Sequence, residues 1–294
     1  MSTLNDIKKR ISGINTTSKI TQAMKLVATA KIQRQKNAFL DLSKFVSHLY
    51  ELLEDLSKNV DFKEVFDDYH PKTDNDLYVV ISSTFGLCGP YNINVCRHLM
   101  PHVRANDKII VVGERGYSYL HSKGYKNQIV TKYITSENVK NYSETMPLAS
   151  LVLSEFKAGN YRNVYMVYTK YKNSLVFEPT MLKILPFSNS LFNPEANEYK
   201  HQDQMELNEK NQVQETLGSK STIIKNFIPF MVSTMFVLGV EESRLCEYSS
   251  RRNAMESATD NAKEIVTELK QKYNQLRQEK ITQEINKIVA GAGE

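Results

Sequence analysis

The sequence predicts an α/β domain set between two long terminal helices that pair as an antiparallel coiled coil. Both ends of the 294-residue chain carry long stretches with almost no proline or glycine, the residues that interrupt helices. Apolar residues in both stretches recur at alternating steps of three and four, which is the spacing of a coiled-coil seam. Between them, short β-branched runs alternate with helical segments, as in a mostly parallel three-layer α/β domain.

The N-terminal coiled-coil helix is predicted over residues 1–57. From Leu4 onward the stretch contains no proline and a single glycine, Gly13. Its seam begins with Leu4, Ile7, Ile11 and Ile14. We expect the seam to continue in a shifted register, formed by Ile20, Ala23, Met24, Val27, Ala28 and Ala30.

The start of the chain is strongly basic. Up to residue 36 there are eight lysines and arginines and one acid, Asp6, so this segment has a net charge of +7 against +5 for the whole chain. A partner with acidic loops, nucleic acid and a merely solvated helix face all remain open as interpretations. Nucleic acid is disfavoured, because no aromatic residue precedes Phe39 and no known reading module is present.

The middle of the chain, residues 77–187, predicts a Rossmann-like three-layer α/β domain. Strands are expected at 77–81, 108–112, 129–134 (an edge strand) and 163–168, with an extended return at 176–182. Helices are expected at 92–100, 117–123 and 143–158. Residues 58–76 are predicted as a linker, and residues 188–225 as a polar excursion without a clear period.

Two glycine pairs follow the first two strands and invite a nucleotide-binding interpretation. Gly86–Gly89 and Gly113–Gly116 both have two intervening residues, which is neither the dinucleotide fingerprint nor a phosphate-binding loop. We therefore expect these glycines to permit tight strand-to-helix turns. No cofactor is predicted.

No other group of residues predicts catalysis or metal binding. His98 and His102 are four apart, but Pro101 between them disrupts the helix that would align them. Cys88 lacks an identifiable basic partner, and three cysteines are an odd number without metal spacing, which favours a reduced intracellular setting. Glu241 and Glu242 are expected to be solvated.

The C-terminal coiled-coil helix is predicted over residues 226–294. Its seam is expected at Ala258, Ala262, Ile265, Leu269 and Leu276, with Lys272 as a polar interruption, and then at Ile281, Ile285 and Ile288. In the antiparallel pair we expect Ile14 to lie beside Ile281. The longest apolar run, Ile228–Val240, is too short to span a membrane.

Sequence landmarks of one known family occur in order along the whole chain. They are Thr17–Lys31, Ser82–Asn92 with its Gly-Leu-Cys-Gly turn, Val112–Gly116, Lys123–Gly124 and Tyr168–Pro186. The last helix adds Glu247, Arg251, Ala254–Met255, Ala258–Ala262, Tyr273–Asn274, Arg277–Gln278, Ile281–Ile285, Ile288 and Gly291–Ala292. With these landmarks the chain resembles the gamma subunit family of F-type ATP synthases, the central shaft of that rotary motor.

This resemblance implies a non-catalytic subunit whose coiled coil enters a hexamer of alpha and beta subunits and couples ion transport to their nucleotide states. It implies further contacts with the epsilon subunit and, less directly, the membrane rotor ring, but neither nucleic acid nor membrane insertion. The hexamer contacts that it implies are Met24, Lys25, Arg251, Arg277, Gln278, Thr282 and Glu284. The expected location is cytoplasmic, peripheral on the inner face of the cell membrane, or the mitochondrial matrix for a mature organellar chain.

Three departures from the family lie in the globular half. Phe85 precedes the turn where a basic residue is common, Pro90–Tyr91 replaces a glycine and a polar residue, and 209–222 lacks an aromatic-acidic-proline signature. Alternatives therefore stay open: the shaft of an F-type-like ATPase diverted to another mechanical task, an unrelated coiled-coil adaptor, or an α/β enzyme with helical arms.

Overall fold

The computed structural model describes residues 4–57, 69–133, 142–186 and 220–291. The chain forms two compact units: unit 1 comprises Met1–Lys31 and Arg251–Glu294, and unit 2 comprises Ile32–Ser250. The first helix, α1 (Leu4–Ser57), and the last, α5 (Lys220–Gly291), each contribute to both units. The two long terminal helices and the α/β sheet of the prediction are confirmed.

Unit 2 contains one five-stranded sheet. Its elements in chain order are β1 (Asp76–Ile81), α2 (Tyr91–Leu99), β2 (Lys108–Val112), α3 (Glu114–Ser122), β3 (Ile129–Tyr133), α4 (Tyr142–Lys157), β4 (Asn163–Tyr171) and β5 (Phe177–Leu185). The strand order is β3-β2-β1-β4-β5. The first four strands are parallel, and β5 returns antiparallel to β4, with Val164 facing Leu185. β3 lies at one edge of the sheet, as the sequence predicted for this strand.

Helices cover both faces of this sheet, because its central strands are apolar on both sides. On one face Leu77, Val79 and Ile81 pack with α4 and with the unit 2 parts of α1 and α5. On the other face Tyr78 and Val80 pack with α2 and α3. The polar excursion predicted at 188–225 and the linker predicted at 58–76 lie largely outside the described residues.

The unit 2 part of α5 is a core helix. It begins at Lys220, six residues before the predicted start, and continues through Pro229, which is exposed. An 18-residue window within Thr222–Ile288 is long and apolar enough to cross a membrane, with a mean hydropathy of 1.7, and 61% of that window is buried inside the protein. Packing inside unit 2 explains why this segment of α5 is so apolar, since Met231, Val232 and Phe236 belong to the main hydrophobic core.

Candidate partner interface

Unit 1 is held together by one buried seam between segments of α1 and α5. On α1 the inward-facing residues keep steps of three and four without a break; they are Leu4, Ile7, Ile11, Ile14, Ser18, Thr21, Lys25 and Ala28. On α5 the matching series is Met255, Thr259, Ala262, Val266, Leu269, Tyr273 and Leu276. Both series have the heptad spacing of a coiled coil.

Two side-chain contacts establish the direction and register of this coiled coil. The hydroxyls of Thr21 and Thr259 are 2.7 Å apart, and Lys25 Nζ lies 2.7 Å from Glu256 Oε1. Four residues forward on α1 therefore correspond to three residues back on α5, so the helices are antiparallel, as predicted. The predicted register was wrong, because the same alignment places Ile14 level with Val266 and leaves Ile281 beyond the start of α1.

The predicted shift of the α1 seam was wrong at Ile20 and Val27, which are 55% and 57% exposed. Ala28 is buried as predicted, but Thr21, which was not predicted, is the buried residue two turns earlier. The seam keeps its original frame by turning polar residues inward, and a search for apolar residues alone moves to the neighbouring helix face. Counting threes and fours from Leu4, whatever the residue type, would have found it.

The α5 seam differs from its prediction by one residue at three positions. Thr259, Val266 and Tyr273 occupy the places assigned to Ala258, Ile265 and Lys272. Lys272 is exposed, so it does not interrupt the seam. Val266 was missed because the larger apolar residue Ile265 stands directly before it.

Beyond Leu276, α5 has no partner helix within the described part of the chain. Leu4, where the described part of α1 begins, lies level with Leu276 in the observed register. Ile281, Ile285 and Ile288 are 44%, 54% and 71% exposed, and their steps of four and three place them on one face. This overhang, residues 277–288, presents an apolar stripe of the kind that marks an interaction surface.

Four of the seven predicted hexamer contacts lie on the overhang. Arg277, Gln278, Thr282 and Glu284 are all exposed. The Thr282 hydroxyl donates a 2.9 Å hydrogen bond to the carbonyl of Gln278, one turn earlier. The overhang therefore combines an apolar stripe with charged and polar side chains that can reach a surrounding protein.

The other three predicted contacts lie at the opposite end of unit 1. Met24 and Lys25 are half-buried, and Arg251 is buried. The hydrogen bond from Lys25 lowers the pKa of the Glu256 carboxyl, so this lysine is paired with the other helix of the coiled coil. The structure thus brings the seven residues together as two separate groups.

In unit 2 the carboxyl ends of the strands are the position at which α/β domains bind ligands. The sheet order reverses between β1 and β4, and α/β proteins bind ligands at such a switch point. Here Ser82, directly after β1, donates to the Val112 carbonyl at 2.7 Å and accepts the Gly116 N–H at 3.0 Å. The N-terminus of α3, where a phosphate could otherwise bind, thus bonds to the turn that follows β1.

The second glycine pair permits this close approach of the two turns. Gly113 has a φ of +97°, and a Cβ there would lie 2.3 Å from the carbonyl oxygen of Ser82. A Cβ on Gly116 would lie 2.4 Å from the Ser82 hydroxyl. The prediction that these glycines serve tight turns is confirmed.

The rest of the switch point is filled by side chains of α2 and α5. Tyr91 packs against Cys88 and Cys246, and burial raises its pKa well above the ordinary value. The cleft beside Tyr91 offers about 20 Å³ to the centres of water molecules, which is room for one or two waters.

Glu242 is buried, so its predicted solvation was wrong. Its side chain is 1% exposed and accepts the Tyr171 N–H at 2.9 Å, joining α5 to the end of β4. Its position on the line of Leu238 and Leu245, four residues after one and three before the other, was the available signal. Within the described ranges, no group of three or more His, Cys, Asp or Glu side chains could hold a metal ion.

Comparisons with known proteins agree along the full length. The family model described as ATP synthase matches residues 3–293. The ATP synthase gamma chains of Malacoplasma penetrans and Mycoplasmopsis synoviae are 32% and 34% identical, each over 99% of both chains.

Solved structures show the same fold. The Euglena gracilis mitochondrial ATP synthase OSCP/F1/c-ring structure contains a chain that matches with a TM-score of 0.66 at 19% identity, covering 98% of this chain and 92% of that one. The Tetrahymena thermophila central stalk/c-ring structure matches with a TM-score of 0.60 at 22% identity, covering 81% and 99%. With relatives above 30% identity over its whole length, this chain belongs to the ATP synthase gamma chain family.

Proposed function

We propose that this chain is the non-catalytic rotating shaft of an F-type ATP synthase. The observation that carries the proposal is the α5 overhang, where an apolar stripe and four polar residues stand on a helix with no partner in the described chain. A surrounding protein ring supplies what is missing: apolar surface for Ile281, Ile285 and Ile288, and polar groups for Arg277 and its neighbours.

The shaft acts through its asymmetry. Because the isoleucines occupy one face of the overhang, each orientation of the helix presents a different surface to each ring subunit. A ligand state of a subunit that contacts one surface better is favoured when that surface faces it. Rotation driven by ion flow therefore changes nucleotide states in turn, while hydrolysis and synthesis take place in the beta subunits.

The proposed partners are the alpha and beta subunits around unit 1, together with the epsilon subunit and the membrane rotor ring. The similar solved structures are of a mitochondrial ATP synthase rotor and of an OSCP/F1/c-ring complex, which supports the hexamer and the rotor ring as partners. We place the chain in the cytoplasm at the inner face of the cell membrane, attached through the complex. The two gamma chains with 32% and 34% identity come from bacteria, which supports that location.

The hexamer contacts are tested by Arg277→Ala combined with Gln278→Ala. Both residues are exposed, so the isolated chain should keep its stability within about 0.5 kcal/mol. Hydrogen bonds to charged groups contribute roughly 1.5–3 kcal/mol each. Complexes that carry the double variant should therefore hydrolyse ATP at least several-fold more slowly than unmodified complexes of equal stoichiometry. Lys270→Ala with Gln271→Ala, also exposed and below the overhang, is the matched control. Unchanged turnover and torque in the first double variant would contradict the assignment.

A second candidate keeps rotation inside the hexamer but uses it for another mechanical task. It is favoured by the turn after β1, where Phe85 and Leu87 are exposed and a basic residue is usual in the family. Membrane vesicles carrying the complex distinguish the two, because the synthase acidifies them on addition of ATP. Hydrolysis without any ion transport would support the second candidate.

A further inference from the structure

The unit 1 part of α1 carries two faces that could each form a coiled-coil seam. The inward face, Ser18, Thr21, Lys25 and Ala28, is mostly polar. The outward face, Ile20, Ala23, Val27 and Ala30, has the same steps of three and four and is apolar. Burial of apolar area alone would turn the second face inward. Leu4, Ile7, Ile11 and Ile14 favour the observed face at the start of the helix, and contacts of Thr21 and Lys25 favour it within this segment.

The buried threonine pair is the first such interaction. The hydroxyls of Thr21 and Thr259 are 2.7 Å apart, and each is also within hydrogen-bond distance of a carbonyl of its own helix, Thr21 of Ser18 at 3.0 Å and Thr259 of Met255 at 2.7 Å. Because each hydroxyl has one hydrogen, one of them donates to the other while its partner donates to its own helix. Thr21 and Thr259 are both buried, so the hydrogen bond between them is shielded from water and its loss is destabilising. Turning the outward face of α1 inward would separate this pair.

The ion pair one turn away is the second. Lys25 Nζ and Glu256 Oε1 are 2.7 Å apart, with both side chains partly exposed. A pair at such a surface position contributes little stability by itself. Polar groups at seam positions nevertheless select one register over others, since only one arrangement satisfies them.

We infer that Thr21–Thr259 and Lys25–Glu256 form a register lock, which selects the face of α1 that packs against α5. The lock leaves Ile20 and Val27 on the outside of the coiled coil. It acts entirely between residues of this chain, so the inference does not depend on the proposed hexamer contacts.

Two cysteine reporters that share one α5 position read out the packed face. Ala262→Cys is combined either with Ser18→Cys, which lies on the inward face, or with Ile20→Cys, which lies on the outward face. In the purified full-length chain, oxidation should link 18 to 262 in preference to 20 to 262. The native cysteines Cys88, Cys96 and Cys246 are buried in unit 2, which keeps background pairing low.

Charge reversal then tests the lock. Lys25→Glu or Glu256→Lys places like charges together, and the ratio of the two disulfide yields should shift roughly three- to ten-fold towards position 20. Combining both reversals should restore the original ratio. Lys19→Glu, at an exposed position of the same helix, is the matched control and should leave the ratio unchanged.

An unchanged ratio in either single reversal, or a ratio that the double reversal fails to restore, would overturn the inference. Thr21→Ala with Thr259→Ala gives an independent measurement should the reversals lose helicity by circular dichroism. Alanine favours helix, so this variant stays folded. It should also shift linking towards position 20, and an unshifted ratio there would equally overturn the lock.

Discussion

The helix α5 passes through two different environments, and the contrast shows what a helix needs from its sequence. In unit 2, from Met231 to Val240, nearly every side chain is buried, because the sheet, α1 and α4 surround that part of the helix. In unit 1, about one residue in three or four faces a single partner helix, and in the overhang every residue is exposed. Secondary structure is the same throughout, so what changes is the number of neighbours and hence the number of residues that stabilise the fold.

The largest expected effect tests the fully surrounded part of α5. Phe236→Ala removes a side chain with no exposed surface and should lower the free energy of unfolding of unit 2 by about 3–5 kcal/mol. Hydrogen exchange of peptides from 231–245, followed by mass spectrometry, measures this locally. Phe230→Ala, on the same helix but exposed, is the control and should change exchange far less. Equal effects would mean that this part of α5 is not a core helix.

A slightly smaller effect is expected where the two turns of unit 2 meet. Gly113→Ala would place a Cβ against the backbone carbonyl of Ser82 and should destabilise unit 2 by about 2–4 kcal/mol. Gly124→Ala is a close match, because its φ is +91° and its Cβ would meet nothing within 4 Å. It should incur only the left-handed backbone penalty of about 1–2 kcal/mol. Urea titration followed by exchange in β1 and β2 separates the two, and identical losses would refute the role of the Ser82 contact.

Alkaline pH should weaken unit 2 in particular. Burial raises the pKa of the Cys96 thiol to about 12 from an ordinary value of 9.0. Below pH 9 the thiol is protonated in both states, and above it the unfolded chain loses the proton first, so stability falls as the pH rises from 9 towards 12. Cys96→Ala should make this fall shallower in exchange measured across α2. A fall as steep as in the unmodified chain would show that Cys96 is not responsible.

How well the sequence predicted each region follows from the same contrast. The strands around Val79 and Val111 were predicted correctly, since a β-branched run buried on both faces leaves little ambiguity. The coiled coil was predicted in kind but not in register, because a narrow seam can tolerate Thr21 and Lys25 while an adjacent face is more apolar. Glu242 was missed for a related reason: its burial depends on the Tyr171 N–H, a partner that is distant in sequence.

A moderate effect is expected in the coiled coil, where it separates the two possible seams on α5. Val266 is 7% exposed and its neighbour Ile265 is 41% exposed. Val266→Ala should lower the stability of unit 1 by roughly 1–2 kcal/mol, whereas Ile265→Ala should stay within about 0.5 kcal/mol although it removes a larger side chain. Exchange in peptides from 255–276 provides the comparison. A larger loss of stability with Ile265→Ala than with Val266→Ala would instead support the seam expected from apolar residues alone.

The smallest effect on stability is expected in the overhang, and there a null result in the isolated chain is informative. Ile285→Ser replaces a large apolar side chain, which in a core would be severe, but Ile285 is exposed and α5 has no described neighbour at this point. The free energy of unfolding should therefore change by no more than about 0.5 kcal/mol, apart from the weaker helix preference of serine. Leu269→Ser, the matching change on the paired part of the helix, should be clearly destabilising because Leu269 lies in the seam.

The assembled complex should respond differently from the isolated chain. If Ile285 contacts a ring that surrounds the overhang, complexes with Ile285→Ser should hydrolyse ATP more slowly although the chain itself remains stable. A chain destabilised by Ile285→Ser would instead mean that the isoleucine stripe packs within the chain, and an assembled complex of normal turnover would leave the stripe without a partner in the ring.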